Sequence, residues 1–380
     1  MNDTKILNLH LGNSLAKMNI VAAKYSLNLL RQIGKPEESV VASPFSIAEA
    51  FGVVHLGAAG VTKSQIQNVF AQGCSEDEFI NYLTYQLGSV NAANAEYSLS
   101  TANRVYYAED LQLKDSFVSN VKSKFDGQLE PADFNAASAT AQKINGWVEE
   151  QTKSKIKNLV DPSMLGRLTR LMIVNAIYFK GAWVVPFDKH STQKQKFYIA
   201  EGKDKMVDMM YHKGKYDYYD DGEAQILGMS YKGENIKMLI VLPKERYGLE
   251  ALLETIDGDK LMFYLAHMRH IKVEVSLPKF KMEKKFDLTG VMSSLGMSQA
   301  FSDSANFTEM CSESVKISQV VHKAFVEVDE KGTEAAAATG VGIMLTSLVI
   351  ETPPPSFVAD HPFLFAIVKD NNLLFIGQHY

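Results

Sequence analysis

Cysteine is scarce in this chain of 380 residues, and Cys74 and Cys311 can form one disulfide bond at most. Both lie in polar stretches far apart in the sequence, so we expect two free thiols. The first 20 residues contain no run of about seven consecutive apolar residues, as a signal peptide requires, and no stretch is long enough to span a bilayer. We expect a soluble protein with no membrane contact, secreted after loss of a leader rather than cytoplasmic. The sequons at Asn2 and Asn306 would then matter.

Basic charge is not in excess either. The net charge is −5 and the sequence pI is about 6.0, which argues against a broad basic surface for nucleic acid or anionic membranes. Lys153, Lys155 and Lys157 form a local cluster that we interpret as a solvated surface. We therefore expect neither nucleic acid nor membrane among the partners.

Catalytic signatures are absent from the sequence. It contains no HExxH, GxSxG or GxxxxGK[ST] pattern, and the GxG that begins at Gly340 has Leu345 in place of the third glycine. His267 and His270 could share one face of a helix as metal ligands, but no cysteine or carboxylate set accompanies them. We expect no catalytic residues, no metal site and no cofactor, and hence no enzyme.

Hydrophobic periodicity predicts helices and strands in clusters rather than in regular alternation. Predicted helices cover residues 14–31, 44–56, 63–71, 76–88, 115–124, 138–150, 247–254, 258–266 and 287–295. Predicted strands cover residues 99–108, 171–179, 205–219, 224–231, 236–242, 271–283 and 320–330, and a hairpin joins 362–368 to 373–380. No linker interrupts the pattern, which indicates the α+β class.

Residues 330–339, EKGTEAAAAT, combine alanine with glutamate and threonine. This composition favours a short surface helix that ends at Gly340. A strand-like pattern precedes the segment, however, and no apolar face for a helix follows it until His361. Small side chains would also fit between two existing strands without displacing core atoms. The residues alone leave helix, loop and strand open.

The composition of residues 330–339 resembles the proximal hinge of the reactive loop in serpins. Five further blocks resemble the same family: VVASPFSIAEAFGVVHLGAAGVTKSQI at 40–66, INGWVEEQTKSKI at 144–156, LMIVNAIYFKGAW at 171–183, VSLPKFKME at 275–283 and ADHPFLFAIV at 359–368. They occur in the family's order across nearly the whole chain. Several long blocks of different composition are hard to meet by chance, so the resemblance is specific.

The resemblance implies the serpin architecture: one domain over residues 1–380, with three β-sheets, about nine helices, and an exposed hinge and reactive loop at about 330–360. The positions that match the family's shutter, a polar cluster beneath the central sheet, are Ser43, Ser46, Asn175 and His322. Without the resemblance, Asn175 and His322 would be interpreted as ordinary hydrogen-bonded core residues. Trp183 matches the breach, where the loop first enters the sheet. Lys279, also at the breach, and Glu330 match an ion pair that helps to keep the sheet closed.

For function, the resemblance implies a suicide-substrate inhibitor that becomes covalently bound to its target serine protease. Serpin loop insertion is itself a known example of strand addition and of released strain. The hinge comprises Glu330, Gly332, Thr333, Glu334, Ala335, Ala336, Ala337, Ala338 and Thr339. Side chains alternate between the two faces of a strand, so on insertion every second hinge side chain would point inward. These are Thr333, Ala335, Ala337 and Thr339. None of these four is charged or large, which favours an inhibitor over a non-inhibitory carrier, chaperone or storage protein.

Family spacing, sixteen residues beyond Glu330, places the reactive bond between Thr346 and Ser347. The neighbouring alternatives are Met344, Leu345 and Leu348. No Lys or Arg occurs in residues 332–368, so a trypsin-like pocket would find no basic side chain. We expect elastase-like or chymotrypsin-like targets. Glu351 leaves a Glu-preferring protease open, and cysteine proteases are also open.

Two further expectations concern heparin and the oligomeric state. In serpins that bind heparin, the helix corresponding to residues 76–88 carries clustered Lys and Arg. This helix has none, and its first turn is acidic, so heparin binding through that surface is not expected. We expect a monomer.

Overall fold

The computed structural model describes residues 3–91, 96–233, 235–331 and 353–380. Within them lie nine α-helices: α1 (Asp3–Ile33), α2 (Pro44–Gly57), α3 (Gly60–Ala71), α4 (Glu76–Asn91), α5 (Asp115–Phe125), α6 (Ala137–Gln151), α7 (Leu249–Thr255), α8 (Gly258–His267) and α9 (Thr289–Met292). The start of α2 follows its sequence signal. The Ser43 side chain caps the helix by accepting a 3.2 Å hydrogen bond from the Ser46 amide, and Pro44 stands first in the helix.

Fourteen strands lie in the same ranges: β1 (Val40–Ala42), β2 (Tyr97–Ala108), β3 (Leu129–Ala132), β4 (Leu171–Gly181), β5 (Gln193–Ala200), β6 (Lys203–Asp220), β7 (Ala224–Ser230), β8 (Ile236–Pro243), β9 (Arg269–Pro278), β10 (Phe280–Asp287), β11 (Ile317–Val328), β12 (Ser356–Val358), β13 (Phe363–Lys369) and β14 (Asn372–His379). Five of them form the central sheet, in the order β10–β11–β4–β2–β3. The pairs β11–β4 and β2–β3 are parallel, whereas β10–β11 and β2–β4 are antiparallel.

The remaining nine strands form one continuous hydrogen-bonded network, in the order β1–β14–β13–β8–β7–β6–β9–β12, with β5 also paired to β6. The 18-residue strand β6 belongs to both halves of this network, because it pairs with β5 and β9 along most of its length and with β7 at its end. The second and third sheets implied by the family are therefore joined through β6. Together with the helices they form an α+β fold, the class that the sequence pattern predicts.

Helix α2 lies at the centre of the molecule. Thirteen of its fourteen residues are buried, and it packs against β2 and β4 of the central sheet and against β14 of the larger one. A helix that is apolar on nearly all sides belongs in a core, and this one fills the space between the two sheets. Strand β4 is likewise buried on both faces, as its almost unbroken apolar run predicts.

Several sequence predictions need correction. Residues 271–283 are not one strand, because β9 ends at Pro278 and Lys279 separates it from β10. His267 and His270 do not share a helix face: His267 ends α8 and His270 lies on β9, 3.1 Å from the carboxylate of Asp217. The prediction of two free thiols is confirmed: neither cysteine is bonded to the other, and both are buried. None of the helices in the described ranges is long and apolar enough to cross a membrane.

Candidate functional site

The seam between β4 and β11 is the first component of the candidate site. The two strands pair directly and in parallel, from Leu171 opposite Ile317 to Phe179 opposite Val326. Asn175 and His322 face each other at the middle of this register. Beyond the paired part, β11 ends at Val328, two residues before Glu330. The described end of β11 thus leads straight toward the predicted hinge.

The four residues predicted for the shutter lie together beneath the seam. His322 Nδ1 contacts Asn175 Oδ1, and His322 Nε2 lies 3.0 Å from the Ser43 amide nitrogen. Asn175 Nδ2 lies 2.7 Å from both the carbonyl oxygen and Oγ of Ser46, and 2.6 Å from Asn103 Oδ1. All of these side chains are buried. One network therefore joins β11, β4, β2 and the start of α2.

The protonation of His322 follows from its partners. The Ser43 amide can only donate, so Nε2 must accept and the proton must lie on Nδ1, from which it is donated to Asn175. Burial lowers the pKa of His322 to about 3, which keeps the ring neutral at physiological pH. Ser43 also donates from Oγ to the carbonyl of Leu374 on β14 at 2.6 Å. The network is thus anchored to the larger sheet as well.

Three further members of this network are missing from the sequence prediction. Asn103 accepts a 2.8 Å hydrogen bond from Ser46 Oγ and donates 2.7 Å to Glu49 Oε2, and Gln128 Nε2 lies 2.5 Å from Glu49 Oε1. Asn103 resembled an outward polar residue of an alternating strand. Glu49 carried a usable signal, because it stands in a helix that is apolar on nearly all sides and is therefore expected to be buried.

Trp183 lies where the chain leaves β11. Its indole Nε1 donates to the carbonyl of Asp329 at 2.9 Å, and its backbone amide donates to the carbonyl of Lys331 at 3.3 Å. The indole stacks on Tyr231 with ring centroids 4.1 Å apart. The Phe187 amide donates to the carbonyl of Glu330 at 2.9 Å. Asp329, Glu330 and Lys331 are therefore all hydrogen-bonded to the segment around Trp183.

Glu330 and Lys279 form the ion pair that the family pattern implies. Lys279 Nζ lies 2.8 Å from Glu330 Oε2, and Thr192 Oγ1 donates to Glu330 Oε1 at 3.1 Å. The Glu330 side chain is 6% exposed and that of Lys279 40% exposed. Burial on its own raises the pKa of Glu330, but the bonds from Lys279 and Thr192 outweigh it, so the pKa is lowered. The Glu330 carboxylate is therefore charged and fixed in position by its bonds to Lys279 and Thr192.

The chain that follows the predicted hinge and reactive loop pairs with the larger sheet, at a place separate from the β4–β11 seam. Strand β12 pairs in parallel with β9, with Ser356 opposite Glu274 and Val358 opposite Ser276. Strands β13 and β14 then continue into the larger sheet. The predicted hinge residues from Gly332 to Thr339 and the predicted bond between Thr346 and Ser347, with its alternatives, lie outside the described residues. Both described ends of this segment are anchored in sheets.

The candidate site contains no catalytic constellation in the described parts of the chain. No group of three or more His, Cys, Asp or Glu side chains there could hold a metal ion. The arrangement consists of a closed parallel seam between β4 and β11, a polar network beneath it, and an ion pair just beyond the end of β11.

Comparisons with known proteins agree with this architecture. The model of the family described as Serpin (serine protease inhibitor) matches residues 21–380. Serpin B6 of Macaca fascicularis is 38% identical over 365 residues, covering 93% of this chain and 96% of that protein. The crystal structure of uncleaved ovalbumin superposes with a TM-score of 0.84 at 31% identity, covering 95% of this chain and 98% of ovalbumin. Human thyroxine-binding globulin, solved with its hormone, gives a TM-score of 0.84 at 28% identity, with coverage of 96% and 98%. This chain belongs to the serpin family.

Proposed function

We propose that the protein is a suicide-substrate inhibitor of serine proteases. Its family contains inhibitory and non-inhibitory members, so the proposal depends on features of this chain. The observation that supports it most is the direct parallel pairing of β4 and β11, with β11 leading into a hinge of small residues. A chain that turns back after β11 runs antiparallel to it, and therefore antiparallel to β4 as well. Insertion would replace one parallel pair with two antiparallel pairs, which are slightly more stable per residue.

The reaction would begin as ordinary proteolysis. The serine Oγ of the protease attacks the carbonyl carbon of Thr346, the bond to the nitrogen of Ser347 breaks, and that nitrogen leaves as an amine after taking a proton. An ester then joins the protease to Thr346. The new C-terminal fragment stays in place because β12, β13 and β14 remain paired in the larger sheet. Only the hinge side is released.

Insertion of the hinge would supply the free energy that moves and distorts the protease. About ten new ladder hydrogen bonds at 0.5–1.5 kcal/mol each give a driving force on the order of 10 kcal/mol. A protease tethered by the ester is carried along with the inserting strand, and distortion of its oxyanion hole and triad stops deacylation. The inward positions Thr333, Ala335, Ala337 and Thr339 are small enough to enter the core beneath the seam.

The proposed targets are proteases with small or apolar primary pockets, of the elastase or chymotrypsin type. No basic side chain occurs in residues 332–368, whereas Thr346, Leu345 and Met344 all suit such pockets. Heparin activation through α4 is not part of the proposal, because Glu76, Asp77 and Glu78 fill its first turn. We propose a monomer that forms a one-to-one covalent complex with the protease.

The test is denaturing gel electrophoresis after mixing with elastase, chymotrypsin and trypsin. We expect an SDS-stable adduct with elastase or chymotrypsin and none with trypsin. Denaturation should separate from the adduct a C-terminal peptide that begins at Ser347. Thr333→Arg places a charge at an inward position and should convert the protein into a plain substrate. Glu334→Arg, its outward neighbour, is the matched control and should keep the adduct. A persistent adduct in Thr333→Arg would refute the insertion mechanism.

A non-inhibitory carrier, chaperone or storage role is the second candidate. The similarity to thyroxine-binding globulin, whose structure was solved with a bound hormone, is the observation that favours it. That role predicts cleavage without a stable adduct and no large gain in melting temperature after cleavage. The same gel and a melting curve of the cleaved protein separate the two candidates.

A further inference from the structure

Glu49 is an acidic side chain that is fully buried at the centre of α2. Its oxygens lie 2.7 Å from Asn103 Nδ2 and 2.5 Å from Gln128 Nε2. Asn103 belongs to β2, and Gln128 immediately precedes β3. One side chain thus ties the helix to the two strands at one edge of the central sheet.

The start of α2 is also tied to the opposite side of the seam. Ser43, which caps the helix, is bonded to His322 on β11 and to the carbonyl of Leu374 on β14. A strand entering between β4 and β11 requires the sheet to widen by about 4.8 Å. Strands β2, β3 and β4 must then move away from β11 and β10. Because α2 is hydrogen-bonded to strands of both groups, it cannot keep all of these bonds when the groups separate.

We propose that Glu49 is a positioning residue whose hydrogen bonds to Asn103 and Gln128 set how easily the β4–β11 seam opens. The inference deepens the proposed function, since opening of this seam is the step that insertion of the hinge would need. It concerns a side chain that is hydrogen-bonded to β2 and to the residue before β3, rather than to β4 or β11.

The protonation state of Glu49 determines the strength of this tie. Burial raises its pKa to about 7, although the hydrogen bonds from Gln128 and Asn103 act in the opposite direction, and Asp126 at the end of α5 raises it further. Two buried histidines on neighbouring parts of the structure are neutral: His322 on β11, and His55 at the far end of α2, whose pKa burial lowers to about 4.

Protonated Glu49 has an acceptor within reach. Gln128 Oε1 is buried and has no hydrogen-bond partner among the described residues. A 180° rotation of the amide exchanges its oxygen and nitrogen, so that Glu49 donates its proton to Gln128 Oε1. The 2.5 Å separation suits an O–H···O hydrogen bond. The closed seam therefore favours the neutral carboxyl.

The direction of the pH effect follows from this preference. In an opened sheet the carboxyl is hydrated and returns toward its ordinary pKa of 4.5, whereas in the closed sheet its pKa is about 7. The closed form thus binds more protons between these values, and raising the pH favours opening. With these two pKa values, the opening equilibrium increases about tenfold between pH 6 and pH 8.

Amide hydrogen exchange on the intact protein at pH 6 and pH 8 tests the proposal. After correction for the intrinsic pH dependence of exchange, the protection of β4 and β11 amides in the wild type should fall about tenfold, while that of β13 and β14 stays constant. Glu49→Gln is neutral at every pH and can keep both hydrogen bonds after the same amide rotation. Its seam protection should be equal at the two pH values. Glu254→Gln, an exposed change on α7, should behave like the wild type.

Two outcomes would overturn the proposal: equal seam protection of the wild type at both pH values, or a tenfold change that persists in Glu49→Gln. If Glu49→Gln fails to fold, the comparison of wild-type seam protection at pH 6 and pH 8 still tests the proposal, because equal protection would overturn it. The exchange measurement uses no protease, so absence of a protease adduct would refute the proposed function without affecting this result.

Discussion

Replacing Lys279 with methionine tests the ion pair at the entrance to the seam. The change keeps most of the side-chain volume but leaves the buried Glu330 carboxylate with Thr192 as its remaining side-chain donor. Loss of a charge-assisted hydrogen bond costs about 1.5–3 kcal/mol, and because Lys279 is 40% exposed we reduce this to about 1–2 kcal/mol. For a chain of this length the melting temperature should fall by about 1–3 °C.

The pH dependence gives this prediction a second readout. The pKa of Glu330 is lowered in the folded protein, so its contribution to stability is complete above its ordinary value of 4.5 and is lost as the pH falls through the folded pKa. In Lys279→Met the lysine hydrogen bond that lowers the pKa of Glu330 is lost, while burial still raises it, so the pKa of Glu330 rises. The stability difference between wild type and variant should be largest at pH 7 and should shrink below pH 4.5. Urea unfolding at several pH values measures it.

The matched control is Lys196→Met. Lys196 on β5 pairs with Asp204 at 3.3 Å, but both side chains are well exposed. Removing an exposed ion pair should change the free energy of unfolding by less than about 0.5 kcal/mol, with little pH dependence. Equal losses in Lys279→Met and Lys196→Met would refute the view that burial of Glu330 gives the hinge pair its strength.

Two other predictions concern the polar network beneath the seam. Asn175→Ala removes the acceptor for the buried His322 Nδ1–H and should lower the free energy of unfolding by about 2–4 kcal/mol, measured in urea, whereas the exposed Asn120→Ala on α5 should change little; a loss below about 0.5 kcal/mol would contradict the network. His322 has an ordinary pKa of 6.5 and a folded pKa of about 3, so its contribution is complete above pH 6.5 and is lost as the pH falls toward 3. The unfolding free energy of His322→Gln should therefore decline less steeply between pH 6.5 and 4.5 than that of the wild type, and an identical slope would contradict the assignment of a neutral histidine.

Much of the fold could be predicted from periodicity. The helices α2, α5 and α6 and the strands β2, β4 and β11 lie within two or three residues of their predicted positions, because each has a clear apolar pattern. Helix α2 also has a local start signal in Ser43 and Pro44. Strand β5 was missed. The first four residues of its sequence, QKQKFYIA, are polar and exposed, so no alternating apolar pattern predicts a strand, and this half is held by pairing with β6. Strand β3 contains Pro131, which is tolerated there because the strand lies at a sheet edge.

The candidate site also contains residues that could be predicted from the sequence and residues that could not. Ser43, Ser46, Asn175 and His322 were predicted together through the resemblance, since no local pattern brings residues so far apart in sequence into contact. Glu49, Asn103 and Gln128 were not predicted, because their partners lie on other elements and become neighbours only in the folded chain. The roles assigned to the shutter, the breach and the reactive bond are still predictions.

The most direct test of the central claim compares the melting temperature of the intact protein with that of the protein nicked by elastase or chymotrypsin within residues 340–352. If the nick lets the hinge become a new strand between β4 and β11, a gain on the order of 10 kcal/mol should raise the melting temperature by more than about 10 °C, with new amide protection at residues 333–339. An unchanged melting temperature, with those residues still unprotected, would contradict the account.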